Sequence, residues 1–208
     1  MPIINTVAVC VLALGLGTLG GCLDLKPQPD VTRFFVLGEI SSPTSTASAE
    51  GPQGLALGMR ALRMAPHLDT QRIVTRLGPH EVSFADDFHW GEDLDEGISR
   101  TLATYLAATD PVRSVQVVPW PDRAVYAYVI EVHVERFEGF APDEAHLLAT
   151  WSILDAKDGR LLRRGRTDHR AQGWSASDYP DLVHKLDASL HVLAEDLAAG
   201  LRALETQQ

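Results

Sequence analysis

Cysteine is nearly absent. Cys10 and Cys22 are the only two in 208 residues, and both lie in or at the border of one apolar segment near the start. The rest of the chain has no thiol for a disulfide, a cysteine-based zinc site or a nucleophile, so its stability rests on packing. Positive charge is also in deficit: 18 Lys and Arg face 28 Asp and Glu, a formal net charge of -10. Residues 1–21 carry no charged side chain, so the acidic excess belongs to residues 22–208. That argues against nucleic acid, and against anionic headgroups, as a broad partner. A long hydrophobic run is missing too, because the uncharged stretch Val7–Gly20 is about 14 residues where a spanning helix needs about 20. No G-x-x-x-x-G-K-[ST] or G-x-S-x-G motif occurs, which removes the P-loop phosphate cradle and the hydrolase elbow, and the one G-x-G-x-x-G match, Gly15–Gly20, falls inside the short uncharged apolar run.

What is present begins at the border of the apolar run. Val7–Gly20 has the length of a secretory h-region, and it ends in Leu19-Gly20-Gly21-Cys22. This is the pattern of a bacterial lipobox: small residues let the chain enter a peptidase extended, and the thiol forms a thioether with a diacylglycerol donor. Cys22 is therefore the expected lipid-attachment residue, becoming an N-terminus that carries fatty acyl chains such as palmitate. Met1–Thr6 departs from the usual pattern in having no Lys or Arg.

Residues 1–21 read as a lipoprotein signal peptide and 22–32 as a lipidated tether. Leu23–Thr32 holds two prolines and no apolar period, and fully extended it spans about 30 Å. The domain occupies 33–208. Arg33–Ile40 is rich in β-formers, and Ser41–Gly54 is a Ser/Pro/Gly/Ala-rich loop. A start at Leu55 with a longer tether is the alternative, since a loop of that length is unusual inside a domain.

The segments Leu55–Met64, Gln71–Leu77 and Glu81–Asp86 read as strands, with Gly78-Pro79 turning the last two. Leu94, Ile98, Leu102 and Leu106 recur every four residues, so a helix runs there, with Asp93, Asp95 and Glu96 at its start and Asp110-Pro111 beyond its end. Ser114–Trp120 is a strand. From Tyr126 to Val134 apolar residues alternate with polar ones, the mark of a half-buried strand. His146–Asp155 and Arg160–Arg170 form a hairpin around Ala156-Lys157-Asp158-Gly159. Ser177, Asp178 and Pro180 open a last helix on which Leu182, Leu186, Leu190, Leu193, Leu197, Leu201 and Leu204 form one seam. The fold class is α+β, two-layer: a largely antiparallel sheet covered on one face by two helices.

Candidate chemistry is thin. Glu131, His133 and Glu135 share one face of a strand and could present two carboxylates and an imidazole to a metal, or simply form a solvated face without a second histidine at ligand spacing. Asp155–Gly159 lacks the later ligands of a calcium loop and reads as a turn. His80, Ser83, Asp86, Asp87 and His89 lie close in sequence but without nucleophile context. No catalytic residue, cofactor or metal is assigned. Arg160, Arg163, Arg164, Arg166 and Arg170 concentrate positive charge, and alternation puts Arg164, Arg166 and Arg170 on one face, as a partner-binding patch or as edge-strand protection. Trp90, Trp120 and Trp174 stand beside loop signals, suited to anchoring a partner or closing the core.

With its lipobox, the Arg33-Phe34-Phe35-Val36-Leu37 strand, Pro66–Asp69 running into Gln71–Arg76, then Trp90, Leu94, Ile98, Arg100, Leu102 and the Trp151 strand, the chain resembles the ABC-type transport auxiliary lipoproteins, the PqiC-like family. The resemblance spans nearly all of the chain after Cys22 and places the Phe-rich strand in the same domain as the later strands and helices. It implies a periplasmic, non-enzymatic subunit that works with a permease, an ATPase and an MCE-type lipid-shuttling protein in lipid transport between the two membranes, with homo-oligomerisation left open. Leu23, where an Asp would favour inner-membrane retention, points to the outer membrane. A structural lipoprotein of outer-membrane assembly and an envelope lipoprotein enzyme are the alternatives.

Overall fold

The structure, a computed structural model, describes residues 31–38 and 54–206. The signal segment, Cys22, most of the tether and most of the Ser41–Gly54 loop lie outside them. In chain order the elements are β1 (Arg33–Phe35), β2 (Leu55–Met59), β3 (Arg63–Met64), a 3-10 turn (Pro66–Leu68), β4 (Arg72–Gly78), β5 (Glu81–Trp90), α1 (Leu94–Ala107), β6 (Val112–Val117), β7 (Tyr128–Phe140), β8 (Glu144–Asp155), β9 (Leu161–Gln172) and α2 (Tyr179–Glu205). The segment read as one strand, Leu55–Met64, is two short ones. Residues 60–62 leave the ladder between them, so β2 and β3 meet β7 at different heights.

β7 organises the sheet. Along one edge it pairs antiparallel with β8 over its whole length, and β8 pairs antiparallel with β9. Along its other edge β7 receives three parallel partners in succession: β2 at Tyr128–Ile130, β3 at His133–Val134 and β4 at Gly139–Phe140. The sheet therefore forks into one arm ending in β2 and β6 and another running through β4 and β5 to β1. The long ladders are antiparallel, as tight turns dictate. The short parallel contacts join segments far apart in the chain. The result is the α+β arrangement expected from the periodicities.

Both helices lie against one face. On α2 the side chains of Leu182, Leu186, Leu190, Leu193, Leu197 and Leu201 are fully buried, and on α1 so are Ile98, Leu102 and Leu106. Removing each such leucine from water is worth about 1.5–3 kcal/mol. Asp178 caps α2 by accepting a hydrogen bond from the Asp181 amide at 3.1 Å. The two helices are tied by Tyr105, whose hydroxyl donates to Asp187 at 2.7 Å and whose ring stacks on His191.

Beneath the helices Tyr128, Ile130, Val132 and Val134 alternate inward. A β-bulge at Glu135 then shifts the parity, so that Phe137 and Gly139 continue the inner row. Trp151 fits this layer only because glycines flank it: a Cβ at Gly165 of β9 would sit 2.1 Å from its ring, and one at Gly200 of α2 would sit 3.0 Å away.

Candidate docking surface

The helices leave the opposite face of β7, β8 and β9 uncovered, and alternation decides what stands on it. Arg164, Arg166, Asp168 and Arg170 project there from β9, registered against Ser152, Thr150, Leu148 and His146 of β8. β7 adds Glu131 and His133 before its bulge, then Arg136 and Glu138. The three arginines singled out by spacing thus share one face, but they are not equivalent. Arg170 reaches Glu144 at 3.2 Å and Asp168 at 3.5 Å, and Arg166 lies 3.8 Å from Asp168. Among the described residues no carboxylate comes within ion-pairing distance of Arg164. Among the described residues Arg164 and Arg136 carry the positive charge on this face that has no ion pair, with Arg166 partly screened, a suitable match for carboxylates on a partner surface.

The other end of the same face is closed. The 3-10 turn brings His67 over β7, where its Nε2 lies 3.1 Å from Glu138, while Arg76 donates to Glu138 at 2.5 Å. Glu138 is 0% exposed, a full carboxylate held by two partners inside the protein. Its cross-strand neighbour His146 is 1% exposed and bonds Asp168 at 2.8 Å through Nε2. Burial lowers the His146 pKa below the ordinary histidine value, against the pull of Asp168. Its Nδ1 is buried with no partner among the described residues, so a proton there would be an unsolvated charge. Asp168 is held below the usual carboxylate range, chiefly by its hydrogen bond with His146. The pair therefore joins a neutral imidazole to an ionised carboxylate.

This buried ionic cluster was not legible in the sequence. Simple alternation puts Glu138 on the inner row with Val132 and Val134, and neither the bulge that turns it outward nor the turn that covers it leaves a local signal.

The remaining candidates resolve into structure. Glu131 is engaged by Arg60 at 2.5 Å, His133 faces Thr150, and Glu135 sits in the bulge, out of the row. Among the described residues no group of three His, Cys, Asp or Glu could hold a metal ion. Asp155 and Asp158 accept hydrogen bonds from the amides of Lys157 and Arg160, and Gly159 takes a left-handed φ of 73°, which makes the segment a turn. Asp86 pairs with Arg72 while its carbonyl lies 3.1 Å from His89 Nε2, so these groups are spent away from Ser83. Trp90 and Trp174 are buried, the latter covering Gly139 and donating to the Asp178 carbonyl, and both close the core. Trp120 differs: half-buried with Tyr126 over Gly58, it borders an open cavity of about 560 Å³ together with Arg60, Arg63 and Glu131.

Comparison with known proteins bears on the fold and on the family. The chain resembles the crystal structure of a Xanthomonas campestris protein of the DUF330 family, with TM-score 0.67 and 14% identity over 85% of this chain and 100% of that one. A second crystal structure, of an uncharacterised protein, aligns with TM-score 0.64 and 15% identity, covering 82% of this chain and 98% of the other. At these identities the likeness speaks for the fold. A search of curated proteins gives no significant sequence match. Among the described residues no helix is long and apolar enough to cross a membrane. The family described as the ABC-type transport auxiliary lipoprotein component matches residues 35–198, from the end of β1 to the last turns of α2. The chain belongs to this family of auxiliary lipoproteins, which makes it an accessory component of a transport system rather than a member of a known enzyme family.

Proposed function

We propose that the protein is a docking or capping subunit, without enzymatic activity, of an ABC/MCE-type system that moves lipid between the inner and outer membranes. Cys22 carries the lipid, Leu23 sends the lipoprotein to the outer membrane, and 33–208 is the periplasmic domain that meets an MCE-type lipid-shuttling protein working with its permease and ATPase. The observation that carries this reading is the family match over residues 35–198. The half-open sheet supports it: one face is consumed by the core, and the other offers Arg164 and Arg166 without a convergent set of acids or a nucleophile.

The test is co-purification of the acylated protein with an MCE-type lipid-shuttling protein from the same cells. Arg164→Glu together with Arg166→Glu is expected to weaken the association while leaving the fold intact. The difference from wild type should narrow at high salt, because exposed charges are screened over about 8 Å at physiological ionic strength and less beyond it. Undiminished co-purification of the reversed variant at low salt would remove the arginine face from the interface.

A further inference from the structure

β1 stands at the open end of the β4–β5 arm, and its two sides differ in kind. On the inner side Phe35 packs beside Phe88, which stacks on Tyr179 of α2 at 4.3 Å between ring centres. On the outer side Phe34 is 65% exposed and Val36 is 51% exposed. The two are neighbours on one surface, for both flank the site where Gly91 lacks a side chain, and the ring of Phe34 touches only the edge of His89 at 5.7 Å. Alternation alone would favour polar residues at these positions in a chain of net charge -10. Two adjacent apolar side chains held outward on a paired strand have a rigid place in the fold and no partner layer of their own.

Their place in the chain says what meets them. Phe34 lies only 12 residues after Cys22, a stretch that spans at most about 40 Å when extended and about 20 Å as a flexible coil. A lipid on Cys22 therefore keeps β1 within reach of the bilayer at all times. An exposed apolar pair held that near the lipid suits contact with acyl chains, where the acidic remainder of the surface does not.

We propose that Phe34 and Val36 form a seat by which the domain rests on the membrane that holds its lipid anchor. This rests on the acylation of Cys22 in the function proposed above. The experiment uses the full acylated chain reconstituted into vesicles of phosphatidylethanolamine and phosphatidylglycerol, with Phe34→Trp as reporter and the wild-type tryptophans as baseline. Expected are blue-shifted reporter emission and its loss when the phospholipids are brominated on their acyl chains. Flotation of the protein with unchanged reporter emission overturns the seat while leaving the anchor standing. Flotation with the reporter shielded from lipid but cross-linked to a second copy overturns it in favour of self-association through β1. A wild-type chain that neither incorporates labelled fatty acid nor floats overturns the anchor, and the seat with it.

Discussion

The two faces of the β7–β8–β9 ladder are made by the same strands yet obey different rules. On the inner face volume decides most positions: Trp151 lies between Gly165 and Gly200, and leucines of α2 fill much of the rest, while Thr167 and His169 bond to Asp196 and Ser189 of α2. On the outer face charge decides, and it does so unevenly. Arg164 and Arg166 stand in water at one end, while Glu138 and His146 are sealed at the other. A polar row on a strand is therefore not synonymous with a solvated one. The covering turn at Pro66–Leu68 converts part of a solvent face into a second, ionic interior.

Breaking that ionic interior should have the largest effect. Arg76→Met leaves Glu138 buried with His67 alone, and loss of one member of a buried pair costs about 3–5 kcal/mol. Urea titration is expected to show that loss, and Arg76→Met combined with Glu138→Met should recover most of it. A double variant no more stable than the single one would mean that the pair is not an independent unit of the outer face.

Next comes the inner face. Gly165→Ala places a methyl group where the Trp151 ring stands, and overpacking of this kind costs about 1–3 kcal/mol. Trp151→Phe added to it should restore part of the stability, because the smaller ring vacates the contact. If thermal melting instead finds the glycine variant unchanged, Trp151 has more freedom than its two glycine neighbours imply.

A pH titration separates the two ends of the outer face. His146 has a folded pKa below its ordinary value of 6.5, so the unfolded chain binds the proton first as pH falls. Stability contributed by the neutral buried imidazole is thus complete above that value and declines as pH drops beneath it toward the lowered folded pKa. Asp168, whose folded pKa is also depressed, adds stability that is present above its ordinary 3.8 and lost only at still lower pH. His146→Phe should flatten the upper part of the profile, whereas Arg164→Glu should leave that part unchanged. An unchanged slope in the His146 variant between neutrality and mild acid would show that the imidazole is not the group being titrated.

The inner face was legible in the sequence and the outer one only in part, for a physical reason. Burial against a helix imposes a period, so the leucine seam of α2 and the alternation from Tyr128 to Val134 could be read directly. The Asp158-Gly159 turn fixed one hairpin in the same way. Period-two alternation alone puts Glu138 on the inner row with Val134; that it faces outward depends on a bulge at Glu135 that no composition rule marks, and its burial there on a turn about 70 residues earlier. The parallel contacts of β7 with β2, β3 and β4 are likewise set by tertiary packing. Spacing placed Arg164, Arg166 and Arg170 on one face, but not the neutralisation of Arg170 by Glu144 and Asp168.

The smallest expected effect concerns the acidic-histidine row, and it sharpens the comparison most. Glu131 and His133 stand on β7 at the same heights as Arg164 and Arg166, across Ser152 and Thr150 of β8, and Glu135 sits in the bulge. Glu131 gives up one exposed ion pair with Arg60, and such pairs are worth little because water and salt already solvate both partners. Replacing all three with glutamine should therefore change stability by no more than about 0.5 kcal/mol at each position. Co-purification with the MCE-type partner and complementation of an envelope defect should stay at wild-type levels, while the Arg164 and Arg166 reversal lowers both. The opposite pattern, a folded triple variant that fails to complement beside a reversal that behaves as wild type, would transfer function from the arginines of β9 to the acidic residues of β7. It would also restore the reading in which these carboxylates and the imidazole act on a ligand of their own.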